Sequence, residues 1–254
     1  MYRFLKKTHW ILRTQVGFDP HKLILSLIGL PRYFRNYMHF RRGYTGRIDL
    51  QPCLFDWYEE GGTATGEYFL QDLYVAQKIH KHQPKRHVDI GSRVDGFVAH
   101  VASFREVEVF DIRLTSQNIN NIVFKQADLM TLPESLLNYC DSLSCLHALE
   151  HFGLGRYGDP INPEGYIAGL INMSKIIISG GVFYLSVPVG IERVEFNAHR
   201  IFDPVKLVNL AASNGLLLKG FASVKPGEGL IESTHYAELR ALNIALGIFI
   251  FIKK

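Results

Sequence analysis

From residue 86 onward the chain alternates short β-branched or apolar runs with stretches of helical period, and this alternation constrains the fold more than any other feature. Seven runs read as strands: His87–Ile90, Val107–Asp111, Ile122–Lys125, Ser142–Leu146, Val182–Val187, Leu216–Phe221 and Gly247–Lys253. Between them Phe97, Val101 and Phe104 recur at helical spacing, and Ile167, Leu170, Ile171 and Ile178 form a second stripe. A third helix has clear punctuation. Asp203 stands as N-cap, Pro204 at the first helical position, Leu207, Val208, Leu210 and Ala211 face inward, and Gly215 follows the end. Upstream, Phe69, Leu73, Ala76 and Ile79 mark a helix leading into the first strand. The fold class is therefore α/β: a Rossmann-like, seven-stranded, mostly parallel sheet with helices on both faces and an antiparallel last strand. With 254 residues, 47% hydrophobic, and only 3 Cys, the chain has material for one large core and no need of a disulfide scaffold.

Charge divides the chain differently. Residues 1–48 carry ten Lys and Arg against the single acid Asp19, a balance of +9 within a total of +4, so the rest is mildly acidic at −5. Arg3, Lys6, Lys7 and the cations that follow are interleaved with Trp10, Phe18, Tyr33, Phe34, Tyr37 and Phe40. Such a segment suits an anionic membrane surface, a nucleic acid, or an acidic face of the same molecule. Residues 1–60 read as a basic aromatic accessory segment with helical tendency around His21–Gly29, and residues 61–254 as the main domain. Apolar stretches such as Leu23–Leu30 are too short and too interrupted to span a bilayer, and no signal-peptide pattern leads the chain. Three cysteines without metal-type spacing fit a reducing cytoplasm, with contact at the inner face of a membrane through residues 1–48 as an option.

The segment His87-Val-Asp89-Ile-Gly91-Ser92-Arg93-Val-Asp-Gly96 is a strand, a tight turn and a helix start, the place where open α/β sheets bind ligands. The dinucleotide pattern GxGxxG is missing, and Asp89 sets a carboxylate where a pyrophosphate would be repelled and a cation attracted. S-adenosylmethionine, a sulfonium without phosphates, suits this turn better than a nicotinamide dinucleotide does. Asp111 ends the second strand, placed to accept from ribose hydroxyls, and Asp128 follows the third, placed to accept from an adenine amino group. Each acid alone could be a turn or cap residue; three on successive strands form a pattern.

Asp89-Ile-Gly91, Asp111, Ala127-Asp128 and the segment Asp141 to His151 resemble the successive motifs of class I S-adenosylmethionine-dependent methyltransferases over roughly residues 65–254. The runs Leu149–Pro160, Val187–Gly190 and Phe196–Phe202 further resemble a methyltransferase-like family named only as a domain of unknown function, linked to surface-polysaccharide systems. The resemblance implies cofactor contacts at Asp89, Gly91, Ser92, Gly96, Asp111, Ile112, Asp128, Leu129 and His147. Ser92 and Arg93 depart from the usual glycine-rich turn, and Arg93 must turn outward or meet the cofactor carboxylate.

Transfer to a hydroxyl needs a base near the end of the fourth strand, for which His151, His147 and His199 are the candidates in that order. The same residues spell H-x-x-E-H, a zinc pattern, but that motif needs both histidines on one helix, and here a strand leads in while Gly153 and Gly155 follow. No metal is expected. Arg156, Tyr157, Asp159, Asn197 and Arg200 are candidates to hold the acceptor, a carbohydrate or related polar metabolite carrying a hydroxyl or carboxylate. The Gly61–Gly66 run lacks a phosphate-loop ending and reads as a cover, with Glu67, Tyr68 and Asp72 bordering the site. Two rivals remain: a methyltransferase-like interaction module that binds no cofactor, and a nicotinamide-dependent enzyme. The acidic body argues against a nucleic-acid substrate.

Overall fold

The computed structural model describes residues 8, 10–59, 66–233 and 235–254, in two compact units, 1–63 and 64–254. Residues 1–7, with Arg3, Lys6 and Lys7, and residues 60–65, with Gly61 and most of the expected cover, lie outside the described residues.

In the first unit one helix dominates, α1 (Pro20–Gly43). Its start follows from Asp19, whose carboxylate accepts the otherwise orphaned N–H groups of His21 and Lys22, with Pro20 at the first helical position. The helix runs well past the expected His21–Gly29. Gly29 lies against the returning chain, where a β carbon would fall 2.3 Å from the Leu54 carbonyl oxygen.

The second unit opens with α2 (Glu67–His82), then β1 (His87–Ile90), an irregular turn Val94–Val98 and the short α3 (Ala99–Ala102). β2 (Val107–Asp111), β3 (Ile122–Gln126) and β4 (Cys140–Leu146) follow, then α4 (Gly165–Ile176) and β5 (Ile177–Val189). β6 (Arg193–Glu195) and β7 (His199–Ile201) pair as a separate ribbon before α5 (Pro204–Ser213), β8 (Leu216–Val224), β9 (Leu230–Glu232) and β10 (Ala245–Lys253). Among the described residues the main sheet has eight strands in the order β3-β2-β1-β4-β5-β10-β8-β9. β1 to β5 are parallel, and β10 is antiparallel to both its neighbours. Strand order reverses between β1 and β4, so the crevice beyond their carboxyl ends is where this fold receives ligands.

All seven expected strands are present. β9, three residues on the sheet edge, adds an eighth, and neither it nor the β6–β7 ribbon was expected, because three-residue strands carry no usable periodicity. Ile178 belongs to β5 rather than to the α4 stripe. On α2, the helix that Phe69, Leu73, Ala76 and Ile79 marked, the buried face is Gln71, Asp72, Val75, Ala76 and Ile79, while Phe69 and Leu73 are partly exposed. Two apolar layers result. Leu170, Met173, Leu207 and Ala211 cover one face of the sheet over Val88, Leu143 and Phe249, while Val75, Ile79, Phe97 and Val101 cover the other over Val109, Leu146 and Ile248.

Candidate active site

Strand alternation decides where Asp89 points. Val88 and Ile90 belong to the α4–α5 layer, which turns His87 and Asp89 to the α2–α3 face, beside Ser142 and Ser144 of β4. Ser142 Oγ lies 2.8 Å from His87 Nδ1, His87 Nε2 lies 3.2 Å from Ser144 Oγ, and Ser144 donates to Asp89 Oδ1 at 2.5 Å. Burial lowers the His87 pKa to about 3, so the ring is neutral and a single chain of donors runs from Ser142 to Asp89. The backbone N–H and hydroxyl of Ser92 donate to the same carboxylate at 3.0 and 2.6 Å, and Ser92 Oγ accepts from Leu146 N–H. Asp89 is therefore fully buried and does not line the cavity described below. The direct cofactor contact expected of it is corrected: it braces the turn that follows β1. Burial pushes its carboxyl up to about 6, against the three hydrogen bonds that favour the ion.

Gly91 takes φ +64°, a conformation that glycine adopts without strain, and a β carbon there would lie 3.2 Å from that of Ala148. Gly96, expected at the cofactor, lies elsewhere. A β carbon on it would come 2.6 Å from Asp72 Oδ2, so this glycine admits the buried Asp72 carboxylate, and neither residue lines the cavity. Gln71 Nε2 donates to Asp72 Oδ1, and Ser186 Oγ donates to Gln71 Oε1, which ties α2 to β5.

A cavity of about 540 Å³ opens beyond the carboxyl ends of β1, β2 and β4, within the range of about 300–1,000 Å³ usual for small-molecule sites. Of the expected cofactor residues it is lined by Gly91, Ser92, Asp111, Ile112, Asp128, Leu129 and His147. Asp111 holds an ion pair that the sequence did not suggest. Arg113 donates to its two oxygens at 2.9 and 2.7 Å, and Arg113 N–H to Oδ1 at 2.8 Å. An arginine two residues after a strand-ending acid was the signal available for it. Asp128 Oδ1 accepts from Met130 N–H at 2.9 Å. Arg93 lies at the rim, with its guanidinium paired to Asp95 at 2.9 Å, so its charge is offset. Glu67 and Tyr68 also line the cavity. Among the described residues six carboxylates (Glu67, Asp95, Asp111, Asp128, Glu150 and Asp159) line it, against the three guanidiniums of Arg93, Arg113 and Arg156. That balance favours a cationic nucleoside over a pyrophosphate.

The three candidate bases all line this cavity. His147 sits at φ +52°, packed against Tyr68 with ring centroids 4.3 Å apart and planes tilted by 31°, and its Nδ1 lies 3.0 Å from Glu150 Oε1. Burial opposes its protonation, but the Glu150 carboxylate outweighs burial and raises its pKa. His147 Nε2 and Glu150 Oε2 make no hydrogen bond among the described residues. His151 behaves oppositely. Its Nδ1 lies 2.8 Å from the Ala198 carbonyl oxygen, to which only a protonated Nδ1 can donate, so the basic lone pair is on Nε2. Burial lowers its pKa, with Glu150 opposing, and the ring is neutral near pH 7. His199 Nε2 lies 3.7 Å from Glu195 Oε2. Leu149–His151 form one turn of 3-10 helix after His147, not a helix presenting His147 and His151 together, and no group of three or more His, Cys, Asp or Glu among the described residues is arranged to hold a metal ion.

The acceptor candidates divide. Tyr157 lines the cavity with the guanidiniums of Arg113 and Arg156 4.5 and 5.1 Å from its ring centroid, and Arg156 donates to the Ala198 carbonyl at 2.8 Å. Asp159 borders the cavity, but its carboxylate accepts the N–H groups of Gly153, Gly155 and Tyr157 at 2.8, 3.1 and 3.2 Å, so it shapes the loop. Arg200 is a correction. It is buried and donates to the carbonyls of Phe152 and Pro163 at 2.5 and 3.1 Å, clasping the loop base instead of facing the cavity. Asn197, exposed in the turn of the β6–β7 ribbon, does not line it either.

No curated protein sequence matches the chain. Among solved structures it is similar to the N-methyltransferase NodS from Bradyrhizobium japonicum WM9 in complex with S-adenosyl-L-homocysteine. The TM-score is 0.52 at 9% identity, covering 75% of this chain and 90% of that one. It is also similar to the Burkholderia thailandensis 1,6-didemethyltoxoflavin-N1-methyltransferase with bound 1,6-didemethyltoxoflavin and S-adenosylhomocysteine. There the TM-score is 0.50 at 14% identity, covering 93% of this chain and 91% of that one. These likenesses establish a class I methyltransferase fold. The family described as Caenorhabditis protein of unknown function, DUF268, matches residues 95–237, more than half of the sequence and most of the cavity wall, and the chain belongs to that family.

Proposed function

We propose that the protein is an S-adenosylmethionine-dependent methyltransferase acting on a hydroxyl or carboxylate of a carbohydrate or related polar metabolite, with surface-glycan biosynthesis as the favoured setting. The observation that carries the reading is the placement of Asp111 at the tip of β2, in the wall of an acid-rich cavity that begins at the Gly91 turn. Bound there, S-adenosylmethionine supplies an electrophilic methyl group. Asp111 would accept the ribose hydroxyls, Ile112 and Leu129 would flank the base, and Asp128 would accept from the adenine amino group.

His151 Nε2 takes the proton from the acceptor hydroxyl, because hydrogen bonding fixes the tautomer and burial keeps the ring neutral. His147, paired with Glu150, has its pKa shifted up where that of His151 is shifted down, so of the two it holds a proton more readily. Arg156 and Tyr157 orient the acceptor on the loop side. The test is transfer of labelled methyl from S-adenosylmethionine to an extract of the native host, with identification of the product. A labelled polar glycan or metabolite supports the reading, and a labelled nucleic acid or protein refutes its acceptor class. With that acceptor in hand, His151→Gln is expected to slow transfer by about 10²- to 10⁴-fold while the Kd for S-adenosylhomocysteine stays unchanged. The wild-type rate should rise with pH to a plateau, with its midpoint below the ordinary histidine value, since the base must be neutral and its pKa is lowered. A midpoint above pH 7, or full activity in His151→Gln, would remove His151 from the role.

One observation favours the rival interaction module: the Arg113 pair leaves Asp111 little acceptor capacity. Arg113 is half exposed, so the pair is worth at most about 1 kcal/mol and can yield to ribose hydroxyls. Arg113→Ala should therefore leave S-adenosylhomocysteine binding intact or a few-fold tighter in calorimetry; a large loss would make Arg113 itself part of the binding site.

A further inference from the structure

Helix α1 has two unlike sides. Gly29 is pressed against Leu54, Arg32 donates to the Leu54 carbonyl at 3.2 Å with its guanidinium 4.5 Å from the Trp57 ring centroid, and Lys22 lies 4.3 Å from that of Phe55. Between Lys22 and Arg32 this side is covered by the returning chain of its own unit; further along, Asn36 and Phe40 on the same side are exposed. At 100° per residue, Leu23, Ile24, Leu27, Ile28, Phe34 and Met38 fall on the opposite side within about 140°. Each of the six is between 47% and 58% exposed, which makes one apolar strip about 22 Å long. Arg35, Arg41 and Arg42 lie within the same arc, all exposed, and residues 20–43 contain no Asp or Glu.

We propose that this side of α1 lies on an anionic phospholipid surface, its apolar strip among the upper acyl carbons and its three arginines at the headgroup phosphates. No described helix is long and apolar enough to cross a membrane, so the contact is a helix lying in the interface plane. Charge selects lipid over a second copy of this chain. Two such faces brought together would juxtapose six arginines with no acid on either helix to offset them, whereas an anionic leaflet attracts each one. The inference is independent of the methyltransferase reading.

The full chain is sedimented with vesicles of phosphatidylcholine alone and of three parts phosphatidylcholine to one part phosphatidylglycerol. It should pellet with the second and not the first, with affinity falling as salt rises. Leu27→Glu with Phe34→Glu, and separately Arg35→Glu with Arg41→Glu and Arg42→Glu, should each weaken binding on the order of a hundredfold. The positions are exposed, and unchanged thermal melting by circular dichroism would establish that the variants fold. Absence of pelleting at low salt, equal pelleting with both lipids, or undiminished binding by the folded variants would overturn the proposal. So would a wild-type dimer in sedimentation equilibrium that Phe34→Glu converts to monomer, since a second copy would then cover the strip.

Discussion

Asp111→Ala is expected to weaken S-adenosylhomocysteine binding by more than about a hundredfold while barely moving the melting temperature. Two ribose hydroxyls donating to one carboxylate contribute about 1.5–3 kcal/mol each, so losing both removes on the order of 3–6 kcal/mol of binding free energy. Stability has little at stake, since what the fold itself loses is an ion pair whose arginine is 54% exposed, worth no more than about 1 kcal/mol, and the bond from Arg113 N–H, an exposed donor that water can satisfy. Isothermal calorimetry and a thermal melt on the same protein check both halves. A Kd within threefold of wild type would show that Asp111 is not the ribose acceptor.

The second large effect falls on the other acid and has the opposite character. Asp89→Ala leaves the Ser92 N–H, the Ser92 hydroxyl and the Ser144 hydroxyl without their acceptor in a fully buried place. An unsatisfied buried donor costs about 1–3 kcal/mol, and the hydroxyls can reorient in part, so about 3 kcal/mol of stability should be lost. For a unit of this size that is about 6–12 °C in Tm. Urea unfolding measures it directly. Destabilisation under 1 kcal/mol, with binding lost as severely as in Asp111→Ala, would return Asp89 to the cofactor and contradict the bracing role.

The contrast between these two acids shows where sequence reading reached and where it stopped. The seven runs of β-branched and apolar residues were legible because a strand buried on both faces, as most of these are, repeats an apolar requirement along its length. So was α5, where the cap Asp203 and Pro204 announce the start. That Asp89, Asp111 and Asp128 end or follow neighbouring strands was legible too. Which of them faces the cleft was not, because one residue of strand alternation separates a buried bracing carboxylate from a ligand, and the partners that decide it, Ser92 and Ser144, include one 55 residues away. Arg200 and Asp159 misled for a related reason: charged groups at a loop read as ligands until the carbonyls and N–H groups they satisfy are seen. The β6–β7 ribbon and β9 are too short to carry a period.

The central claim is that the crevice beyond β1, β2 and β4 accepts a nucleoside without phosphates and refuses one that carries them. Calorimetric titration of the wild-type chain with S-adenosylhomocysteine and, in parallel, with NAD tests it most directly. One-to-one binding of the first with no detectable heat from the second is the result that the cavity's excess of carboxylates predicts; binding of NAD, or of neither, would contradict it.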